Sequence, residues 1–233
     1  MEEDQFAVFE ASMITMVERQ KRNRHRYNIF IGDLFAFSVH EDMLIKHRLF
    51  KGELIYPDRV QSVLEDEERH GAYMKALRWI GRRPHSLKEL RDKLKRSGFE
   101  VSIIQTTLNT LIEQNFVNDE EFAKQWTEHR IYGQRKGRNM VRQELQQKGL
   151  SEAHIQEAIS EINPEEELQG ALSIARKKWE QTKGSVLERK RKIAAFLMRR
   201  GYTGAMTGKV LQEIAQGEQD NESDEVWDES SWN

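Results

Sequence analysis

The stretch GQRKGRNMVR, residues 133–142, sets Gly133 and Gly137 around Arg135 and Lys136 and follows them with Arg138 and Arg142. A glycine-bracketed loop that opens a helix offers backbone amides, and with Arg and Lys this suits phosphate or carboxylate. Four consecutive cations, Arg189, Lys190, Arg191 and Lys192, make a second basic stretch. Further cations stand at Arg82, Arg83, Arg91, Lys95, Arg96, Arg130, Lys177, Lys178, Arg199 and Arg200. Several of these close helices, where compensation of the helix dipole accounts for some of them. It does not account for the two basic stretches, so a polyanion partner is expected. Contact of that kind ignores base sequence and weakens steeply with salt.

Other chemistry finds less support. His40-Glu41-Asp42 invites a metal, but the HExxH spacing is absent and the seven histidines are scattered. His40 and His47 could share a helix face, yet no third ligand is near in sequence, so helix capping is the expected role and no metal is assigned. Gly204 to Val210 faintly resembles a phosphate loop. It has three residues between its glycines where four are needed, and Val210 stands where Ser or Thr must meet magnesium. The runs Glu65-Asp66-Glu67-Glu68 and Glu165-Glu166-Glu167 read as solvated faces and helix starts. With no cysteine and no nucleophile beside a base, neither an enzyme nor a cofactor is expected.

Charge is segregated along the 233 residues although the net charge is only −2. Residues 75–148 carry 16 basic and 9 acidic side chains, and residues 170–216 carry 11 and 3. Residues 217–233 carry 7 acids and no base. Two basic blocks therefore stand beside an acidic tail. The charged fraction of 33% against 37% hydrophobic suits helices with one buried stripe. The first residues carry no secretory pattern and no stretch reaches a membrane-spanning length, so a cytoplasmic protein without membrane contact is expected.

The elements that must hold these cations follow from periodicity. Tyr27, Ile29 and Ile31 alternate, Gly32-Asp33 offers a turn, Phe35 and Phe37 continue beyond it, and Met13, Thr15 and Val17 precede. A small antiparallel sheet of about three strands is predicted, joined through the loop Lys21-Arg22-Asn23-Arg24, then a short helix over 40–49. After Pro57 everything reads as helix. Three stretches align on Gly98, Gly149 and Gly201, each with apolar anchors four and eight residues earlier: Leu94 and Leu90, Leu145 and Val141, Leu197 and Ile193. An apolar segment upstream of each makes a three-helix unit of roughly fifty residues. The fold expected is mainly α: three tandem three-helix repeats in an elongated curved array after a small N-terminal antiparallel β-sheet. The expected divisions are 1–56 for the β-rich extension, 57–116 for a linking helix and the first repeat, 117–163 and 164–216 for the other repeats, and 217–233 for a disordered acidic tail. The tail reads either as solubilising or as a nucleic-acid mimic, with Trp227 and Trp232, that folds back on the basic repeats.

At this point the residues resemble a known family. The run ALRWIGRRPHSLKELRDKLKRSGF, then NFVNDEEFAKQWTEHRIYGQRKGRNMVRQELQQKGL, then RKIAAFLMRRGY look like the three repeats of RecX, the bacterial regulator of the RecA recombinase. RYNIFIGDLFAFSVHEDMLIKHRLFKG is similar to the N-terminal extension of RecX proteins from Bacillus-like bacteria. The resemblance implies a non-enzymatic modulator lying along the groove of the RecA–DNA filament, altering its growth, ATP hydrolysis and strand exchange in DNA recombination and repair. The partners it implies are the RecA filament and, more weakly and without sequence preference, single- and double-stranded DNA, met by a monomer. The alternative is a single-stranded nucleic-acid-binding repeat protein that acts by competing for DNA.

Overall fold

Alternating apolar residues build β1 (Ser12–Arg19), β2 (Arg26–Ile31) and β3 (Leu34–His40), with Gly32 taking a left-handed φ of 62° in the β2–β3 turn. The computed structural model describes residues 11–228, the last twelve as backbone only. A fourth strand, β4 (Leu54–Ile55), pairs Ser12 with Ile55 and Met13 with Leu54, so the sheet has four strands in the order β3-β2-β1-β4. Sequence reading expects about three because a two-residue strand is too short to show alternation. Ile14, Ile29, Phe37, Val39 and Ile55 are buried on one face, against Met43 and Leu44 of α1 (Glu41–Lys46) and Val63 of α2 (Pro57–Ile80). That burial gives the small sheet its stability. Helix α1 is shorter than the 40–49 expected. His40 is its N-cap, and Arg48 turns left-handed at φ 47° just beyond it.

The acidic run Glu65-Asp66-Glu67-Glu68 inside α2 is more than a solvated face. Asp66 accepts from Lys46 at 2.6 Å, His47 at 2.9 Å and Arg69 at 2.6 Å. Partial burial opposes its ionisation, but the three donors outweigh that and hold its pKa near about 2. Glu67 accepts the His40 backbone N–H at 2.7 Å and pairs with Arg26 at 2.8 Å. These contacts fasten α2 across the sheet. Arg69 is three residues from Asp66 on the same helix, but sequence alone hides the other partners because they are about twenty or more residues away.

The chain divides into two units, one of the residues up to Arg83 with Leu90–Phe116, the other of Pro84–Glu89 with the residues from Val117 on. The first adds most of α3 (Leu87–Arg96) and all of α4 (Val101–Glu113). The second holds α5 (Asp119–Glu128), a π-helical turn at His129–Gly133, α6 (Arg138–Gln147), α7 (Glu152–Ser160), α8 (Pro164–Glu180), α9 (Val186–Arg199) and α10 (Gly204–Asp228). All six anchor residues before the repeat glycines are fully buried. Gly98, Gly149 and Gly201 have φ of 87°, 78° and 90°, the left-handed conformation that ends a helix and that side chains resist. Two cores result in the second unit. One joins Phe122, Val141, Leu145 and Ile155, the other Leu172, Trp179, Ile193, Leu197 and Val210.

Helix α10 runs through 217–228, where disorder is expected, because Ala, Gln and Glu continue the helix without a proline. The expected fold-back of the tail, with its Trp227 and Trp232 side chains, lies outside the described residues. Gly204 and Gly208 begin α10 without breaking it, since Val210 and Ile214 anchor it. Among the described residues no helix is long and apolar enough to cross a membrane.

Candidate functional site

The loop read as a phosphate cradle is closed by the protein itself. Gly137 caps α6, but the Arg138 N–H donates to Glu167 Oε1 at 3.1 Å, the Asn139 N–H to Gly201 O at 3.0 Å and the Gly137 N–H to Arg200 O at 2.9 Å. The amides that would greet an anion are thus engaged. Arg138 also sends Nε and Nη2 to Glu167 Oε2, at 2.9 and 2.6 Å. Glu167 is only 1% exposed at its side chain. It is an internal counter-ion, not merely a helix-start charge.

Its neighbours behave alike. Lys136 Nζ donates to Glu144 Oε1 at 2.5 Å and Trp126 Nε1 to Oε2 at 2.9 Å. Arg130 Nε lies 2.8 Å from Oε2 without hydrogen-bond alignment. Arg130 and Lys148 stack on the Trp126 ring at 4.1 and 3.9 Å, and Lys148 pairs with Glu89 at 2.7 Å. Burial raises the Glu144 pKa, but its bonds from Lys136 and Trp126 and the charge of Arg130 prevail and lower it. Arg142 pairs with Glu152 at 2.6 Å, and Arg135 donates to Ser173 Oγ at 2.9 Å. Arg200 turns inward to the carbonyls of Gln134 at 2.7 Å and Arg135 at 3.3 Å. Burial, with Glu167 nearby, pushes the Tyr202 hydroxyl up to about 12 while it donates to Arg135 O at 2.9 Å.

The third repeat is different. A cleft of about 540 Å³ opens between the end of α8 and the outer face of α9. Lys178, Gln181, Thr182, Lys183, Lys192, Ala195, Phe196 and Arg199 line it, four cations with no acid among them. Among the described residues Lys178 and Arg199 are exposed and make no ion pair, and Lys192 reaches only the Lys183 carbonyl, at 3.1 Å. Lys177 and Arg191 are exposed beside them and Lys190 is half-buried, all three without a partner among the described residues. Arg189 instead lies over the Trp179 ring at 4.0 Å and bonds its carbonyl. A capping box at Ser185 and Glu188 starts α9.

In the first unit Arg82, Arg91 and Lys95 are exposed and unpaired among the described residues, Arg96 bonds the Asp92 carbonyl of its own helix, and Arg83 has a partner. Lys183 and Phe196 of the cleft are not among the binding residues that the sequence singles out. Lys183 is a single loop lysine beside Gly184, and Phe196 read as part of an apolar helix face. Counting back from the repeat glycine would have exposed the second. Five residues before Gly149 stands Glu144, and five before Gly201 stands Phe196.

Comparison with known proteins agrees with this architecture. Four family models match in chain order: the N-terminal domain of regulatory protein RecX over residues 12–56, and the first, second and third three-helix domains of RecX over 72–111, 118–159 and 165–211. The regulatory protein RecX of Halalkalibacterium halodurans is 34% identical over 208 residues, covering 87% of this chain and 78% of the relative. That of Bacillus cereus strain AH820 is 31% identical over 220 residues, covering 92% and 82%. A crystal structure of regulatory protein RecX aligns with a TM-score of 0.68 at 25% identity, covering 85% of this chain and 98% of that one. The structure of RecX from Lactobacillus salivarius shares the fold with a TM-score of 0.61 at 20% identity, covering 65% and 99%. Three three-helix repeats behind an N-terminal antiparallel sheet, matched along nearly the whole chain, make this protein a member of the RecX family of regulatory proteins.

Proposed function

We propose that the chain is a cytoplasmic, monomeric regulator of homologous recombination that binds the RecA–DNA filament along its groove and modulates filament growth, ATP hydrolysis and strand exchange. The observation that carries the polyanion part of this reading is the acid-free cleft of Lys178, Lys183, Lys192 and Arg199. Lys177, Lys190 and Arg191, unpaired among the described residues, add positive charge on the same two helices. Lysines are point charges that suit phosphate without fixing base identity. The cations of the second repeat hold the fold instead, and Arg82, Arg91 and Lys95 offer a separate set to the filament.

A second reading is competition for single-stranded DNA, favoured by Phe196 among the cations, since base stacking on an aromatic side chain and a basic groove together suit single strands. ATP hydrolysis by RecA pre-assembled on single-stranded DNA separates the two. The protein is titrated below saturation of the DNA at physiological salt. Loss of hydrolysis at substoichiometric protein supports action on the filament. Loss only once the DNA is saturated leaves competition. The double substitution K178E/K192E should raise the protein concentration needed in either case, and an unchanged titration would remove the cleft from the reading.

A further inference from the structure

His40, Asp42 and His70 are brought together where β3 and α1 meet the middle of α2. His40 Nδ1 lies 3.2 Å from Asp42 Oδ2, and His70 Nε2 lies 3.5 Å from the same oxygen. One ligand atom from each residue falls within 4.8 Å of the others. The imidazoles of His40 and His70 pack with centroids 4.6 Å apart. His70 Nε2 is buried and has no hydrogen-bond partner. An orphaned buried imidazole nitrogen facing a carboxylate is a costly arrangement unless something fills the space between them. In sequence, His40-Glu41-Asp42 and His47 lack a further ligand. Folding sends His47 to Asp66 and brings His70 to His40 and Asp42 from another helix.

We propose that His40, Asp42 and His70 form a binding site for one divalent transition-metal ion, with Zn(II) the best match. Two imidazoles and a carboxylate are a borderline ligand set that suits zinc, and three protein ligands leave a fourth position for water. Bonds of about 2.0–2.1 Å to a tetrahedral ion put adjacent ligand atoms about 3.3 Å apart. The two separations to Asp42 Oδ2 already have that size, so only the two histidine rings must converge. The rival for the His40 lone pair is the Asp42 N–H, a long contact at 3.3 Å that the metal would replace. Around the site, Glu67 holds the His40 backbone N–H and neutralises Arg26 of the sheet. His25, at 6.0 Å from His40, is drawn away by Glu41 at 2.7 Å. The ion would tie α2 to the sheet, adding to the stability of the N-terminal unit through its own binding free energy.

The test is titration of zinc into the full chain at slightly alkaline pH against a chromophoric chelator, with Co(II) as a spectroscopic probe. The expected result is one ion per chain, an intense visible cobalt spectrum typical of four-coordination, and a rise in melting temperature with zinc. H70Q and D42N, each checked for folding by circular dichroism, should weaken binding at least tenfold, whereas H25Q should leave it unchanged. The proposal is overturned if the folded wild type binds no stoichiometric ion, or if H70Q and D42N bind as well as wild type. It is equally overturned if binding is lost in H25Q but kept in H70Q, since the ion would then belong to His25, His40 and Glu41.

Discussion

The second and third repeats share a scaffold and use their cations in opposite ways. In the second, Glu144, Glu152 and Glu167 face Arg130, Lys136, Arg142 and Arg138, so its positive charge is largely neutralised within the fold. Lys124 joins the pattern, raised in pKa by Glu157, Glu120 and Glu161 around it. In the third, the position equivalent to Glu144 is Phe196, and among the described residues the cleft cations around it keep no carboxylate. One acid-for-aromatic exchange at a repeat position therefore separates a structural charge network from an open basic cleft. The density of Arg and Lys is a poor guide to an interface unless the acids that meet them are known as well.

The comparison breaks most visibly at Glu167. Its carboxylate is buried, and replacing it with alanine leaves the Arg138 guanidinium and the first amide of α6 without their acceptor. Breaking a buried pair typically costs 3–5 kcal/mol, and since the Arg138 side chain is still 30% exposed, a loss of about 3 kcal/mol is expected. Urea unfolding measures it, and a double-mutant cycle with R138A should recover part of the loss. A cost below about 0.5 kcal/mol would mean that the second repeat does not depend on its internal ion pairs.

The cleft should answer the other way. K178E/K192E removes two cations that have no structural partner beyond the Lys183 carbonyl, so unfolding should change by less than about 0.5 kcal/mol. Affinity for single-stranded DNA should fall roughly tenfold or more, and the magnitude of the salt-dependence slope by about 2. Fluorescence anisotropy at several salt concentrations reads both quantities. Neutralising Lys136 instead should lower stability and leave the slope nearly unaltered. If the slope responds to Lys136 and ignores Lys178 and Lys192, the assignment of the two repeats is reversed.

Gly137 sharpens the contrast between backbone and charge. A Cβ there would overlap the backbone of Gly201 and Tyr202, because the loop passes directly against the turn that ends α9. Gly137→Ala should cost about 2 kcal/mol, within the usual range for overpacking, without altering any charge. DNA binding by the folded fraction should stay at the wild-type level. Weakened binding in that fraction would show that the geometry between the second and third repeats matters to the cleft.

Much of this architecture was legible in the sequence, and the reasons are local. Glycines at a spacing of about fifty, with Leu94, Leu145 and Leu197 four residues earlier, reveal three helix ends because helix periodicity and left-handed caps depend on near neighbours. The strand alternation of β1–β3 is likewise short-range. What could not be read is the pairing across distance. Arg138 meets Glu167 across 29 positions and Arg26 meets Glu67 across 41, and no composition rule reports which of the 39 acids faces which of the 37 cations. The two-residue strand β4 and the meeting of His40 with His70 escaped for the same reason. The cations named as one set in the sequence are thus divided by the fold into those that hold it and those that face outward.

The smallest effect is a titration. Glu144 has its pKa lowered in the folded chain despite partial burial, because Lys136 and Trp126 donate to it and Arg130 lies beside it. A depressed carboxyl contributes stability that is fully present above the unfolded value, about 4.3, and is lost as pH falls through the folded value. Glu144→Gln should therefore be less stable than wild type at neutral pH by about 1 kcal/mol, the scale of a hydrogen bond to a charged group partly replaced by a neutral one. As pH falls below about 4.3, the difference should shrink, because the wild-type carboxyl becomes protonated and loses the same advantage. Urea midpoints at neutral and acid pH measure it. Neutral substitution of Lys178 and Lys192 should give no such convergence, since no carboxylate lines their cleft. A pH-independent gap for Glu144→Gln would mean that the glutamate acts by shape in the Trp126 pocket, and the electrostatic half of the contrast between the repeats would fall.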